Sequence, residues 1–402
     1  MVESYVKLKL NNYEAYINAD RLNYLKEVDA AIFDCDGVLT ETRNSYNRAI
    51  SKTVAYIING LSRYRFPECL VSDEIIFLFR RSGGFNNDRD ISYGISMFIL
   101  CNLPSEFKKT LERCIRTNPW RSDPFERFIL IKKMMRREFQ PKHLGRDFFT
   151  GLMEELKKFT AMFDASGIQS VDRNLIGRSY ASRNLGDFYD TLRRFIYHPG
   201  RVGESLVATI FEEFFCGPRL FKETYGVEPA FRKEPGMIEN EKIIIKPETF
   251  DRLALLFGGA KFGISSGSAF KPAEYALGDL IKRLNPKALF FSDDIEKAEF
   301  EASMKEGSTV NLRKPNPYSL LKAAEALKPF KFAVYIGDSM EDFLMVEKAK
   351  QIDPRFLFIG VYRHSGIEDV ILRGFLDANC DVILPSVNEL PQVLEKVRRM
   401  EN

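Results

Sequence analysis

Polar residues that could carry chemistry stand at the ends of short apolar segments, or in the loops between them, in this 402-residue sequence. They include carboxylates, hydroxyl groups and a lysine. Four such groups follow one another along the chain: Asp34-Cys35-Asp36-Gly37, Ser265-Ser266-Gly267, Lys314-Pro315, and Gly337-Asp338 with Asp342 four residues later. Because ligands of open parallel sheets bind at the carboxyl ends of the strands, residues in these places are candidates for one shared site.

Two of the carboxylates indicate a metal-assisted reaction. Asp34 and Asp338, brought together at neighbouring strand ends, would repel each other unless a cation lay between them. Oxygen ligands in such an arrangement suit Mg²⁺, which keeps several waters and accepts a phosphate oxygen of the substrate. A carboxylate can also attack phosphorus, and phosphoryl transfer depends mainly on neutralising charge. The pattern therefore predicts phosphoryl transfer.

The remaining polar residues fit the other tasks of phosphoryl transfer. Asp36, two residues after Asp34, is placed to give a proton to the leaving group and later to take one from water. Lys314 supplies positive charge from a loop just before the helix predicted over Tyr318–Leu327. A serine hydroxyl and backbone N–H groups would hold the equatorial phosphoryl oxygens.

The apolar segments predict a parallel sheet. Continuous apolar segments separated by helical patterns are typical of parallel strands that are covered on both faces. Six segments fit this description: Ala30–Phe33, Phe262–Ile264, Ala288–Phe291, Phe332–Ile336, Phe356–Ile359 and Val382–Leu384. We therefore predict an α/β fold with a doubly wound, Rossmann-like parallel sheet. Ahead of it, alternation in Tyr5–Leu10 and Tyr13–Ile17, on either side of Asn11-Asn12, favours a hairpin within residues 1–19.

A long helical region interrupts this α/β pattern. Residues 43–250 show helical periodicity and few strand signals, and Gly217-Pro218 is expected to stop the last helix. The chain is therefore predicted to have an α/β core, residues 1–42 and 251–402, and an inserted all-α domain, residues 43–250. Since ligands bind at the carboxyl ends of the strands, an insertion after the first strand is expected to form a cap over the site.

The four groups of residues resemble the four motifs of the haloacid dehalogenase-like (HAD) phosphotransferases. The match consists of Asp34-x-Asp36-Gly37-Val38-Leu39-Thr40, Ser266, Lys314-Pro315 and Gly337-Asp338-x-x-x-Asp342, in the family's order and each in the right strand or loop context. The insertion resembles the helical cap of the subfamily that includes phosphoglycolate phosphatase and β-phosphoglucomutase. At roughly 200 residues, it is long for an accessory module.

The resemblance assigns a role to each motif residue. It implies that Asp34 is the nucleophile and that Asp36 is the acid/base. Phosphoryl binding falls to Ser266, Gly267 and Lys314. Ser266 is preferred to the adjacent Ser265 because it directly precedes Gly267, as in related motifs.

The resemblance also implies a Mg²⁺ site. The carboxylates of Asp34 and Asp338 and the backbone carbonyl of Asp36 would bind the metal. Asp342 would either support the metal through water or orient Lys314. An Asp-x-Asp-Gly sequence alone is common in turns and calcium loops, but no third ligand or terminal Glu follows at the spacing of a calcium-binding EF-hand.

These inferences predict a Mg²⁺-dependent phosphatase that hydrolyses a small phosphorylated metabolite through an aspartyl-phosphate intermediate. A phosphomutase of the β-phosphoglucomutase type would use the same residues, with a sugar hydroxyl in place of water, and the sequence does not distinguish the two. A third hypothesis, from another class, is a binding or regulatory protein on the same scaffold. The complete set of motif residues argues against a loss of catalysis.

The composition is that of an ordinary globular protein, with 45% hydrophobic residues, 29% charged residues and a net charge of +3. This small charge gives no reason to expect a nucleic-acid or membrane partner, and no apolar stretch approaches the length that spans a bilayer. The cysteines are scattered without a CxxC pair, which predicts neither a zinc site nor a redox motif and is typical of a reduced, cytoplasmic protein. The sequence does not indicate an oligomeric state.

Overall fold

The computed structural model describes residues 5–10, 13–85, 87–142, 144–164, 166–181, 186–198 and 200–400. Its strands, in chain order, are β1 (Tyr5–Leu10), β2 (Tyr13–Asn18), β3 (Val28–Phe33), β4 (Thr40–Glu41), β5 (Lys242–Ile243), β6 (Phe262–Ser265), β7 (Leu289–Phe290), β8 (Phe332–Gly337), β9 (Phe356–Val361) and β10 (Val382–Leu384). Strands β1 and β2 pair in antiparallel fashion, and the Asn11-Asn12 turn expected between them lies outside the described residues.

In the described chain, all but two of these strands form one sheet, in the order β1-β2-β10-β9-β8-β3-β6-β7. The strands from β10 to β7 in that order run parallel, and β2 joins β10 in antiparallel fashion. The predicted parallel sheet is therefore confirmed. Strand β7 is shorter than predicted, because Ala288 belongs to a 3₁₀ turn and Phe291 caps the following helix.

The helices connect the strands of the sheet and are the main secondary structure of the described residues of the inserted region. In chain order they are α1 (Leu22–Lys26), α2 (Arg48–Ser62), α3 (Asp73–Arg80), α4 (Asp88–Asn102), α5 (Ser105–Arg116), α6 (Pro124–Glu138), α7 (Arg146–Thr160), α8 (Ile168–Ala181), α9 (Gly186–Ile196), α10 (Leu206–Tyr225), α11 (Pro247–Phe257), α12 (Phe270–Leu277), α13 (Ser292–Glu306), α14 (Tyr318–Leu327), α15 (Met340–Lys350), α16 (Glu368–Asp377) and α17 (Leu390–Arg399). Among the described helices, none combines the length and the apolar character needed to cross a bilayer.

Side-chain alternation along the strands divides the α/β core into two layers. On one face of β3, Phe33 packs in edge-to-face contact with Phe250 of α11, with ring centroids 5.8 Å apart. On the other face, Ile32 shares a core cluster with Leu320 of α14. Burying a side chain of this size contributes roughly 1.5–3 kcal/mol. Because helices cover both faces, the sheet is doubly wound, as the apolar strand segments predict.

The chain divides into two compact units, an α/β unit (Met1–Arg43 and Glu241–Asn402) and a helical unit (Asn44–Asn240). Residues 241–250 therefore belong to the α/β unit, although the sequence pattern placed them with the insertion. The reason is that Ile244, Ile245 and Phe250 are buried in the core of the α/β unit. The α/β unit is made of two stretches of sequence. Strand β4 lies near the end of the first stretch and β5 at the start of the second, and the two strands pair in antiparallel fashion.

Within the helical unit, α10 is divided at Gly217. Gly217 has a left-handed backbone with φ of +73°, which breaks the helical geometry. The expected stop at Gly217-Pro218 is therefore confirmed for the first segment of α10. A second helical segment runs from Pro218 to Tyr225, because proline is well tolerated in the first turn of a new helical segment.

Candidate active site

Strand register brings the ends of β3, β6 and β8 to one edge of the sheet. Phe33, the last residue of β3, pairs with Ile336 of β8 on one side and with Ile264 of β6 on the other. The backbone N–H of the next residue, Asp34, donates to the carbonyl of Ile336 at 2.9 Å. The polar residues that follow the three strands therefore share this edge. They are Asp34, Ser266 and Asp338.

A tight loop after β3 places Gly37 against Asp338. The N–H of Gly37 donates to the carbonyl of Thr40 at 2.8 Å, and the N–H of Thr40 donates to the carbonyl of Cys35 at 3.0 Å. Gly37 has φ of +74°, and a Cβ atom added there would lie 2.0 Å from Oδ2 of Asp338. Glycine meets both requirements, the left-handed backbone and the close approach.

The contact at Gly37 leads to a first prediction. In Gly37→Ala, the added methyl group would displace the Asp338 carboxylate, so we expect the affinity for Mg²⁺ to fall at least about tenfold. Calorimetric titration with Mg²⁺ measures this. Gly258→Ala is the matched control, because Gly258 also has a left-handed φ of +69° but has no atom within 4 Å of the added Cβ position. An equal loss of Mg²⁺ affinity in Gly37→Ala and Gly258→Ala would show that backbone strain causes the loss, and it would contradict the prediction.

Lys314 lies nearly buried among three oxygen atoms. Its Nζ is 2.9 Å from Oδ2 of Asp34, 2.8 Å from Oδ1 of Asp342 and 2.8 Å from the Tyr335 hydroxyl oxygen. An ammonium group has three protons, one for each of these partners. Burial alone would lower the pKa of Lys314, but Asp34 and Asp342 outweigh burial and hold that pKa well above its usual value. Lys314 is therefore a fixed positive charge beside Asp34.

The Asp34 carboxylate is held by several neighbours. Its Oδ1 accepts a hydrogen bond from the N–H of Cys35 at 2.8 Å, and its Oδ2 lies 2.9 Å from Nζ of Lys314. Burial raises the pKa of the Asp34 carboxyl group, while Lys314 acts in the opposite direction. These contacts fix the orientation of a carboxylate that is only 8% exposed.

Asp342 is fully buried, and both of its oxygens are engaged. Oδ1 accepts from Lys314 at 2.8 Å and lies 3.1 Å from the Tyr335 hydroxyl oxygen. Oδ2 accepts from the hydroxyl of Ser339 at 2.7 Å and from its N–H at 3.2 Å. Because Ser339 caps α15 in return, Asp342 ties Lys314 to the start of that helix.

Carboxylate oxygens of Asp34, Asp338 and Asp342 lie within 4.8 Å of one another, close enough to surround a cation. An all-oxygen donor set of this kind suits Mg²⁺. Asp342 already accepts one hydrogen bond from Lys314 and two from Ser339. Orientation of Lys314 is therefore the role of Asp342 that these contacts favour.

The two adjacent serines make different contacts. The hydroxyl of Ser265 donates to the hydroxyl of Ser319 at 2.8 Å. The hydroxyl of Ser266 donates to the hydroxyl oxygen of Ser268 at 3.3 Å. Ser266 also lowers the pKa of the Asp34 carboxyl group, which burial raises. This arrangement favours Ser266 over Ser265 as the group that meets a phosphoryl oxygen.

Two residues that the sequence analysis did not single out also reach the site. Tyr335, fully buried in β8, donates its hydroxyl proton to the carbonyl of Ser265 at 2.9 Å while it accepts from Lys314. Ser268, which follows the exposed Gly267, donates its hydroxyl proton to the carboxylate of Asp36. A tyrosine in an otherwise apolar strand is a usable signal, because a buried tyrosine hydroxyl usually has a polar partner.

Comparison with known proteins gives the fold and no family. No family model matches the chain, and no curated protein sequence matches it. An X-ray structure from the Northeast Structural Genomics Consortium is similar, with a TM-score of 0.53 and 15% identity over 92% of this chain and 99% of that chain. The phosphatase Tt82 from Thermococcus thioreducens aligns with a TM-score of 0.49 and 18% identity over 91% of this chain and 98% of its own. The first of these likenesses shows a shared fold.

Proposed function

We propose that this chain is a Mg²⁺-dependent phosphatase of the HAD type, which hydrolyses a small phosphorylated metabolite through an aspartyl-phosphate on Asp34. The observation that carries the proposal is the buried contact of 2.9 Å between Asp34 and Lys314, at the edge of the sheet where Asp338 also lies. A nucleophilic carboxylate beside a fixed ammonium and a second carboxylate offers the charge neutralisation that phosphoryl transfer needs.

In the first half of the reaction, an oxygen of Asp34 attacks phosphorus and the bond from phosphorus to the leaving oxygen breaks. The electron pair of that bond leaves with the oxygen, which takes a proton from Asp36. The products are an alcohol and the aspartyl-phosphate. Lys314 and Ser266 hold the phosphoryl oxygens: Lys314 already contacts the Asp34 carboxylate to which the phosphoryl group becomes attached, and Ser266 follows the neighbouring strand β6 at the same edge of the sheet.

In the second half of the reaction, water attacks the phosphorus of the aspartyl-phosphate. Asp36, now a carboxylate, takes a proton from that water. The bond between phosphorus and the Asp34 oxygen breaks, and its electron pair restores the Asp34 carboxylate. Inorganic phosphate leaves, and Asp36 is again protonated for the next substrate.

The residues of this site fit a magnesium ion. Asp34 and Asp338 would hold it through their carboxylates, together with the backbone carbonyl of Asp36 that the HAD resemblance implies. When bound, Mg²⁺ would neutralise negative charge on the phosphoryl oxygens. Asp342 would contribute by holding Lys314, because its own oxygens already accept hydrogen bonds.

The proposal is tested by phosphate release across a panel of sugar phosphates, phosphoglycolate, nucleotides and a generic aryl phosphate. We expect release from at least one member with Mg²⁺, its loss on chelation and its return when Mg²⁺ is restored, because carboxylate oxygens of Asp34, Asp338 and Asp342 lie within 4.8 Å of one another. Release that persists in the chelator would contradict the metal requirement. Isomer formation without release would identify a phosphomutase, and silence together with no Mg²⁺ binding would support a binding protein.

A further inference from the structure

We propose that Ser268 is a positioning residue, which orients the carboxylate of Asp36 for proton transfer and ties it to the phosphoryl-binding Ser266. The inference deepens the proposed function and rests on it. It concerns a residue that lies outside the four sequence motifs. The side chain of Ser268 contacts Asp36 and Ser266, so it would act through Asp36.

The contacts of Ser268 form a continuous connection between Ser266 and Asp36. The N–H of Ser268 donates to the hydroxyl oxygen of Ser266 at 3.3 Å, and the Ser266 hydroxyl donates to the hydroxyl oxygen of Ser268, also at 3.3 Å. The hydroxyl of Ser268 in turn donates to Oδ2 of Asp36. The proposed phosphoryl-binding serine and the proposed acid/base are thus linked through Ser268.

The position of Ser268 is itself fixed by the backbone. Its carbonyl accepts a hydrogen bond from the N–H of Ser292, at the start of α13, at 2.9 Å. The N–H of Ser266 donates to the carbonyl of Phe290 in β7 at 3.0 Å. Ser268 is 8% exposed, whereas Asp36 is only half-buried. A hydroxyl anchored in this way can restrict a carboxylate that the surrounding loop leaves partly open to solvent.

The hydrogen bond from Ser268 to Asp36 indicates which oxygen of Asp36 carries the transferred proton. Ser268 donates to Oδ2, so that oxygen acts as an acceptor. The proton that Asp36 gives to the leaving group is therefore carried on Oδ1. Without the Ser268 hydroxyl, the Asp36 carboxyl group loses a contact that orients it, and the proton is less often aligned with the leaving oxygen.

Dependence on the leaving group separates positioning of the acid from a general structural effect. An alkyl phosphate leaves as an alkoxide that must be protonated as it departs, whereas 4-nitrophenyl phosphate releases an anion that is stable without a proton. The quantity compared is kcat/KM, which reports the steps up to departure of the leaving group. On the alkyl phosphate, we expect Ser268→Ala to lower kcat/KM about 10- to 50-fold. On 4-nitrophenyl phosphate, the expected loss is less than about threefold.

The controls are built from neighbouring serines. Ser319→Ala removes a buried hydroxyl that contacts Ser265 but not Asp36, and we expect it to affect both substrates equally. Should Ser268→Ala fail to fold, Ser268→Cys keeps a side chain of similar shape with a much weaker donor and is expected to show the same selective loss.

Each outcome bears on the proposal. A loss confined to the alkyl phosphate supports it. Equal losses on the two substrates, or no loss on either, in an otherwise active enzyme would overturn the role of Ser268 and leave the phosphatase proposal standing. The alkyl phosphate is the member of the panel that the wild type hydrolyses; absence of wild-type activity across that panel, together with no Mg²⁺ binding, would reject the phosphatase proposal and the role of Ser268 with it.

Discussion

Asp34→Asn is expected to lower phosphate release by about 10⁴-fold or more and to leave no detectable phosphoenzyme, since an amide cannot replace the carboxylate nucleophile. The substitution preserves size, and Lys314 retains Asp342 as a partner at 2.8 Å. The protein is therefore expected to remain folded. Rapid acid quench with a radiolabelled substrate measures the phosphoenzyme, and steady-state phosphate release measures turnover.

Asp29→Asn is the matched control for this experiment. Asp29 lies on the same strand, β3, but at its other end, where it pairs with Lys261 at 2.9 Å. We expect this variant to keep wild-type turnover. A phosphoenzyme that formed at the normal rate in Asp34→Asn would overturn the assignment of the nucleophile, and equal losses in the two variants would point to the stability of β3 instead.

The parts of the fold that could be predicted are those that depend on the local pattern of apolar residues. Continuous apolar segments such as Phe332–Ile336 and Phe356–Ile359 became parallel strands, because both faces of the sheet are covered by helices. Only two residues of the predicted segment Ala288–Phe291 form β7, at the edge of the sheet. The first residue of this segment belongs to a 3₁₀ turn and the last one caps a helix. Hydrophobic periodicity does not show where the strand begins and ends within such a segment.

The boundary of the helical unit illustrates a second limit. Residues 241–250 follow a long helical region, and their pattern alone did not separate them from it. Their place is decided by long-range contacts: the carbonyl of Leu39 accepts a hydrogen bond from the N–H of Ile244 at 2.8 Å, across about 200 residues of chain. Contacts over such a separation leave no periodic signal in the sequence.

The candidate site shows the same division between local and non-local information. Asp34 and Asp338 stand out because each follows an apolar segment, and Lys314 because it stands in a loop just before a predicted helix. The hydroxyl of Tyr335 signals that this side chain needs a polar partner, but the apolar pattern of β8 does not indicate which residue that partner is. The Tyr335 hydroxyl contacts Lys314 at 2.8 Å and the carbonyl of Ser265 at 2.9 Å. Those partners are apparent only when β6 and the Lys314 loop are seen together.

Lys314→Met is expected to impair both activity and stability. The side chain of Lys314 is 9% exposed, and its removal would leave the Asp34 and Asp342 carboxylates facing each other without a counter-charge. Breaking a buried ion pair on one side costs about 3 kcal/mol, and losing one charged phosphoryl contact lowers activity by at least about 10²-fold. Urea unfolding measures the first effect and phosphate release the second.

A lysine on the surface gives the control for this variant. Lys331 pairs with Glu27 at 2.6 Å, but both side chains are more than half exposed. Solvent screens such a pair, so Lys331→Met is expected to change unfolding and turnover little. A stability loss in Lys331→Met equal to that in Lys314→Met would contradict the assignment of the larger effect to burial.

The double variant Lys314→Met/Asp342→Asn separates the two roles of the lysine. Neutralising Asp342 removes the repulsion between the buried carboxylates, so we expect part of the lost unfolding free energy to return. Activity should not return, because no positive charge is restored beside Asp34. Recovery of stability alone would show that Lys314 acts both as the counter-charge of a buried carboxylate pair and as a phosphoryl contact. Recovery of activity in the double variant would reject the second role, since the lysine would then serve only to hold Asp34 and Asp342 together.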